Sequence, residues 1–160
     1  MKHRSTKVLL TTAACGAALL FPSGARAQKA DNNLALGKKV TVEPRSNYEF
    51  TKDRDPQQLT DGIYASTNAQ WDVKHQTSTL WVQKGTLGWA HKQPVIITID
   101  LGEVQPISGL IYSTAGGKSG VTWPDYIYIA TSDDNETWHY AGELVELSKK
   151  NGAPPTEDYE

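Results

Sequence analysis

The chain has 160 residues, 38% hydrophobic and 21% charged, which is about one domain of ordinary globular composition. That balance excludes a multi-span membrane protein, and a single Cys excludes both a disulfide framework and a thiolate zinc cluster. Five Trp and seven Tyr stand against two Phe, an aromatic set with polar handles that suits half-exposed sites better than a dry core.

The N-terminus has the pattern of an export signal. Lys2, His3, Arg4 and Lys7 make a basic start, residues 8–21 are an apolar run, and Ala25-Arg26-Ala27 supplies a small-x-small cleavage site. The run is shorter than the ~20 residues a spanning helix needs. Cys15 invites a lipoprotein reading. Against it, Thr12 stands where a lipobox carries an aliphatic residue, and the apolar run continues through Phe21. Residues 1–27 are therefore expected to be a signal peptide, cut after Ala27, and the protein is expected to be exported to the periplasm, the cell surface or the medium, with no membrane insertion after cleavage. Cleavage leaves 12 basic against 18 acidic residues, a net charge of −6. Such a chain, without basic clusters, is a poor candidate for nucleic acid or an anionic membrane, because Lys and Arg carry that affinity, and no nucleic-acid partner is expected.

Residues 28–33 are a polar lead-in, and from Leu34 the texture is that of short strands between turn residues. Val40–Val42 predicts a weak strand. From Asp53 to Pro94 runs a long polar stretch holding three of the five Trp, a length that marks a functional loop and a ring content that argues against disorder. Val95–Leu101 predicts the clearest strand, with Val95, Ile97, Ile99 and Leu101 on one face. Ile107–Tyr112 predicts another, with Gly109 as a bulge or close-packing point. Gly116-Gly117-Lys118-Ser119 lacks the full phosphate-loop spacing and a following helix, and reads as a turn. Tyr126–Thr131 and Thr137–Tyr140 predict a hairpin across Ser132-Asp133-Asp134-Asn135. Leu144–Leu147 predicts a further weak strand. Together these elements predict an all-β domain of the β-sandwich kind, whose end loops carry the binding.

Five segments in order resemble the discoidin-like domains, also called coagulation factor V/VIII type C domains. Asn33-Leu34-Ala35-Leu36-Gly37-Lys38 is similar to their N-L-A-x-G-K opening, and Leu59-Thr60-Asp61-Gly62 to their x-x-D-G loop. Ile97-Thr98-Ile99-Asp100-Leu101-Gly102 is similar to x-x-V-D-L-G, with Ile107-Ser108-Gly109-Leu110 following at the expected interval. Tyr128 to Asp134, then Thr137-Trp138, resembles x-x-x-x-S-D-D-G-x-x-W. The resemblance implies a galactose-binding-like jelly-roll β-sandwich of about eight strands over residues 34–160. It also implies a ligand-binding module without catalytic groups, similar to family 32 carbohydrate-binding modules attached to secreted polysaccharide-active enzymes. The chain departs from the family in its long insert between Gly62 and Pro94. It also reaches Glu160 on the approach to the family's closing strands, so the domain is expected to be truncated and followed by a catalytic domain.

For the sites, the resemblance implies structural calcium at Asp61, the carbonyls of Gln58 and Ile63, and the hydroxyl of Ser66 or Thr67. An Asx turn at Asp61-Gly62 is the competing assignment. Calcium takes about 6–8 oxygen ligands, carbonyls included. A polysaccharide or glycan site pairs exposed rings, which stack on sugar C–H faces, with polar side chains at their edges. The candidates are Trp71, His75, Trp89, His91 and Trp123. Core packing competes for the tryptophans and solvated loops for the histidines, while Trp81 and Trp138 read as packing residues. Asp53, Asp55 and Asp61 lie close in sequence, but no spacing there specifies a glycosidic acid and base, so no catalytic residue is assigned. The class that competes with a carbohydrate-binding module is a cell-surface adhesion or protein-binding module.

Overall fold

The computed structural model describes residues 7–12, 33–63, 83, 85–114, 120–122 and 124–152. Over these residues the chain is mainly strands, with one short helix. The strands are β1 (Lys7–Thr12), β2 (Lys39–Glu43), β3 (Val95–Asp100), β4 (Ile127–Ser132) and β5 (His139–Glu143), followed by helix α1 (Leu144–Lys150). They form a five-stranded sheet in the order β2-β3-β1-β4-β5, and every pairing is antiparallel.

The alternation expected of β3 is what makes the core. Val95, Ile97, Ile99 and Leu101 are 0%, 2%, 7% and 2% exposed. They share the inner face with Val8, Val40 and Ile127, because directly opposed residues of neighbouring strands point the same way. Each such side chain contributes about 1.5–3 kcal/mol by leaving water. Trp89, Leu144 and the partly buried Leu34, Leu59, Leu87, Leu110 and Tyr112 close over that face.

Two expected strands come out differently. Ile107–Tyr112 forms no strand, although Leu110 and Tyr112 still turn toward the core between exposed neighbours. Pro106 cannot donate to a ladder, and the space beside Gly109 is open rather than closely packed. Leu144–Leu147 is the first turn of α1 rather than a strand. Four apolar-leaning residues cannot separate a period of 2 from one of 3.6; the capping decides. Glu143 takes the backbone N–H of Val145 at 3.0 Å and of Glu146 at 2.8 Å, Lys149 and Lys150 end the last turn, and Leu144 and Ser148 form the buried stripe. The same carboxylate also takes the N–H of Ile127 at 2.7 Å, which ties the helix start to the start of β4.

The turn after β4 rests on one carboxylate. Asp134 Oδ1 accepts from the backbone N–H of Glu136 at 2.8 Å, from that of Thr137 at 2.7 Å and from Ser132 Oγ at 3.0 Å. Asn135 takes the left-handed conformation, φ 64°, which Asn tolerates and for which the family pattern has Gly. Those N–H donors hold the Asp134 carboxyl well below the usual carboxylate range. The native state therefore binds fewer protons there than the unfolded chain, and the stability it adds is present above the unfolded value of ~3.9 and lost as pH falls through the native one. Asp134→Asn is expected to lower the melting temperature at pH 7, with the gap from the unaltered chain closing below about pH 4. A melting series from pH 7 to pH 2 on both chains checks this.

Candidate functional site

Two of the segments that carry the resemblance, 33–38 and 59–62, interlock in space. Gly37 N–H donates to the Thr60 carbonyl at 2.7 Å, and Thr60 Oγ1 donates to the Lys38 carbonyl at 2.8 Å. Gln57, in the 3-10 turn Pro56–Leu59, takes the N–H of Val40 at 2.6 Å and donates to the Lys38 carbonyl at 3.1 Å. Gly62 has φ 78°, and a Cβ there would sit 2.9 Å from Leu36 Cδ1. The opening turn, the Asp-Gly loop and β2 are thus one packed corner.

Asp61 is exposed at that corner, and its Oδ1 accepts the N–H of Ile63 at 2.8 Å, an Asx turn. Gln58 Oε1 is buried without a hydrogen-bond partner among the described residues. Ser66 and Thr67 lie outside the described residues. Among the described residues there is no group of three or more His, Cys, Asp and Glu side chains that could hold a metal.

Among the candidate sugar contacts, Trp89 is a packing residue. It is 6% exposed in the core cluster, and its indole Nε1–H donates to the Pro44 carbonyl at 2.7 Å. His91 is exposed, with φ 54°, and Trp138 is half-buried. Trp71, His75, Trp81 and Trp123 lie outside the described residues.

The described flank of the long insert is pinned by a polar network. Buried Ser46 donates to the Gly88 carbonyl at 2.8 Å, while Thr51 Oγ1 takes the Gly88 N–H at 3.0 Å. Asn47 pairs twice with the backbone of Ala90, at 2.9 and 3.0 Å. Arg54 donates to the carbonyls of Gln83 and Thr86, and partial burial lowers its pKa. Each network partner satisfies a polar group that would otherwise cost about 1–3 kcal/mol.

On the opposite side of the sheet from the core lies a row of tyrosines that sequence reasoning did not single out. Tyr126 and Tyr128 flank the buried Ile127 and so share the outer face. Tyr140 joins them through a bulge. Ile129 pairs with Gly142 but Ala130 pairs with Tyr140, which leaves Ala141 as the extra residue. Regular pairing onward from Ile129 would set Tyr140 opposite Thr131, on the inner face; the one-residue shift turns it outward. Gly142 permits this with φ 150°, where a Cβ would also lie 2.7 Å from Leu147 Cδ1.

Tyr126, Tyr128 and Tyr140 are 37%, 44% and 68% exposed. The first two rings are 4.7 Å apart and tilted by 31°, and Tyr128 meets Tyr140 edge-on at 6.1 Å and 65°. Small Ala130, opposite Tyr140, leaves space for that ring to lean on Tyr128. The result is an aromatic corner with three phenol hydroxyls, each a donor and an acceptor, and with exposed Asp125 next in sequence to Tyr126. The local signals were the Tyr-x-Tyr alternation beside Ile127 and Ile129, and a Gly inside a strand pattern. A second, smaller pair, Tyr48 and Phe50, meets edge-on at 5.5 Å, with Tyr48 close against Gly88.

No protein-family model, curated protein or solved structure matches this chain.

Proposed function

We propose that this chain is a non-catalytic carbohydrate-binding module of the discoidin-like type, with a galactose-binding-like jelly-roll sandwich, belonging to an exported bacterial protein and tethered to a C-terminal polysaccharide-active catalytic domain. The observation that carries the binding reading is the exposed corner of Tyr126, Tyr128 and Tyr140. A sugar ring offers C–H groups to an aromatic face and hydroxyls to phenols and carboxylates, and this corner presents both. Its 65° angle suits a chain end, a bend or a single branching sugar. A flat crystalline ribbon would ask for coplanar rings. His91, Trp71, His75 and Trp123 are the further contacts proposed from the loops. The packed corner of Gly37, Thr60 and Gly62 supports the family reading, since two of the five segments that carry the resemblance meet there.

The role is local concentration. A weak single site gains effectiveness when it is tethered beside a catalytic domain. The test is binding of the full chain to an array of mono- and oligosaccharides, with and without calcium. Retention of a glycan that free sugar displaces is the expected result, and silence under both conditions overturns the reading.

Structural calcium belongs to the same proposal, held by Asp61 with the carbonyls of Gln58 and Ile63 and a hydroxyl of Ser66 or Thr67. The donors are hard oxygens, as calcium requires, and the buried, unpartnered Gln58 Oε1 adds one more in the same segment. At a hundredfold excess over Kd, calcium is expected to add about 2.7 kcal/mol, raising the melting temperature by roughly 10 °C. Asp61→Ala is expected to abolish the rise, which thermal melts with calcium and with chelator will show.

A further inference from the structure

The tyrosine corner stands in a stretch of one charge sign. Residues 119–148 hold six carboxylates, Asp125, Asp133, Asp134, Glu136, Glu143 and Glu146, and no Lys or Arg. β4, β5 and the first turn of α1 all lie within that stretch. The register places two of the carboxylates at the rings. Glu143 is directly opposite Tyr128 on the neighbouring strand, and exposed Asp125 precedes Tyr126. Three backbone N–H groups, those of Ile127, Val145 and Glu146, fix the Glu143 carboxylate. Exposed Asp133 follows Ala130, the partner of Tyr140, by three residues, about 10 Å along the strand. Glu146 is neutralised by Lys150, 3.8 Å away. Exposed His139 precedes Tyr140. Lys7 of β1, opposite Ser132, is a cation across the sheet, but it lies in the segment expected to be cut away.

We infer that the corner of Tyr126, Tyr128 and Tyr140 selects a cationic amino sugar, its ammonium seated between Tyr128 and Tyr140 with Asp125 and Glu143 as counter-charges, and rejects uronic and sulfated sugars. This rests on the carbohydrate reading and narrows it to one class of sugar. An aromatic face is the negative part of the ring, so the rings and the carboxylates around them act with one sign. Together they draw in an ammonium and repel a carboxylate or a sulfate. A cation is held within about 6 Å of a ring centroid. Tyr128 and Tyr140 are 6.1 Å apart and open by 65°, so one ammonium in the angle between them is in range of both. The pyranose ring that carries the ammonium keeps its C–H face for the aromatic wall and its hydroxyls for the phenols. A lysine side chain has the charge without that face. N-acetylation removes the charge and keeps the ring, which makes the acetylated sugar the matched comparison.

Titration of the full chain with four oligosaccharides of equal length tests this: glucosamine, N-acetylglucosamine, glucose and glucuronate oligomers, with oligolysine as a fifth ligand. The expected result is glucosamine bound at least about tenfold more tightly than its N-acetylated and neutral counterparts, with glucuronate the weakest. The preference should shrink as NaCl is raised from low to high concentration, because charges exposed at the surface are screened. Asp125→Asn, which removes a charge and keeps the shape, is expected to narrow the ratio of glucosamine to N-acetylglucosamine affinity by about threefold. Tyr128→Leu, which keeps apolar bulk and removes the ring, should abolish the preference. A thermal melt of each variant shows that it is folded. The inference is overturned, and the carbohydrate reading left standing, if a neutral or acidic oligomer binds as tightly as glucosamine. It is also overturned if the preference is indifferent to both salt and Asp125→Asn. Oligolysine bound with every glycan silent, or silence of all five ligands, overturns both readings together.

Discussion

Replacing Trp89 with alanine is expected to lower the unfolding free energy by about 3–5 kcal/mol and the melting temperature by roughly 10–20 °C. The indole is 6% exposed in the cluster that covers the inner face of the sheet. Truncation removes most of its apolar contact and leaves a cavity that a sheet held on both sides cannot collapse to fill. It also leaves the Pro44 carbonyl without the 2.7 Å hydrogen bond from Nε1. Because a domain has only about 5–15 kcal/mol in hand, the variant should be close to the limit of folding at 37 °C. Trp89→Phe separates the two contributions. It keeps an aromatic ring in the core and removes only the donor and part of the volume, for an expected loss of about 1–2 kcal/mol. Urea denaturation of the three chains measures both, with an unchanged slope showing that the native states are comparable. If Trp89 were instead a ligand ring, alanine would cost little stability and phenylalanine would weaken glycan binding. The expected result is the reverse, with Trp89→Phe binding glycan as tightly as the unaltered chain.

The strand pattern was legible where one side of the chain is buried. The alternation at Val95–Leu101, the weaker run at Val40–Val42 and the hairpin around Asp134 all became strands within three residues of the expected bounds, because period 2 and turn chemistry are local properties. Leu144–Leu147 was not legible, since its state depends on a cap that Glu143 shares with the start of β4. The place of Trp89 could not be read either. Whether a tryptophan near a loop is packed or open depends on a carbonyl 45 residues earlier in the chain. For the site, the two outward tyrosines of β4 were present in the alternation, yet Tyr140 joins them only through a register shift that no local window encodes. Residues 8–21 read as an apolar targeting run, and composition says nothing about β1 pairing with β3 and β4. Sheet neighbours so distant in sequence are a tertiary property, which is why short apolar runs are ambiguous.

Tyr140→Ala is expected to weaken glycan binding by about tenfold or more, equivalent to about 1.4 kcal/mol, while changing stability by no more than about 0.5 kcal/mol. The separation of the two effects follows from its position. Tyr140 is 68% exposed on an edge strand, and its one aromatic neighbour among the described residues is Tyr128, met edge-on, so little packing is lost on truncation. A sugar seated in the corner, however, would lose one of its two walls and a phenol. Tyr140→Phe keeps the wall and should lose only the hydrogen bond, about 0.5–1.5 kcal/mol. Tyr128→Ala should weaken binding more than either, because Tyr128 touches both Tyr126 and Tyr140 and holds the angle between the walls. Titration of each variant with the best glycan from the array, next to a thermal melt, gives the order directly. An unaltered affinity in Tyr128→Ala and Tyr140→Ala together with a loss in Trp71→Ala would move the site to the insert and leave the carbohydrate reading standing. Deleting Ala141 tests the geometry from another side. It removes the extra residue and leaves Gly142 opposite Ile129 and Tyr140 opposite Ala130, still on the outer face, so binding should be retained. Retained binding would make the outward register of Tyr140 opposite Ala130, rather than the bulge itself, the feature that creates the site.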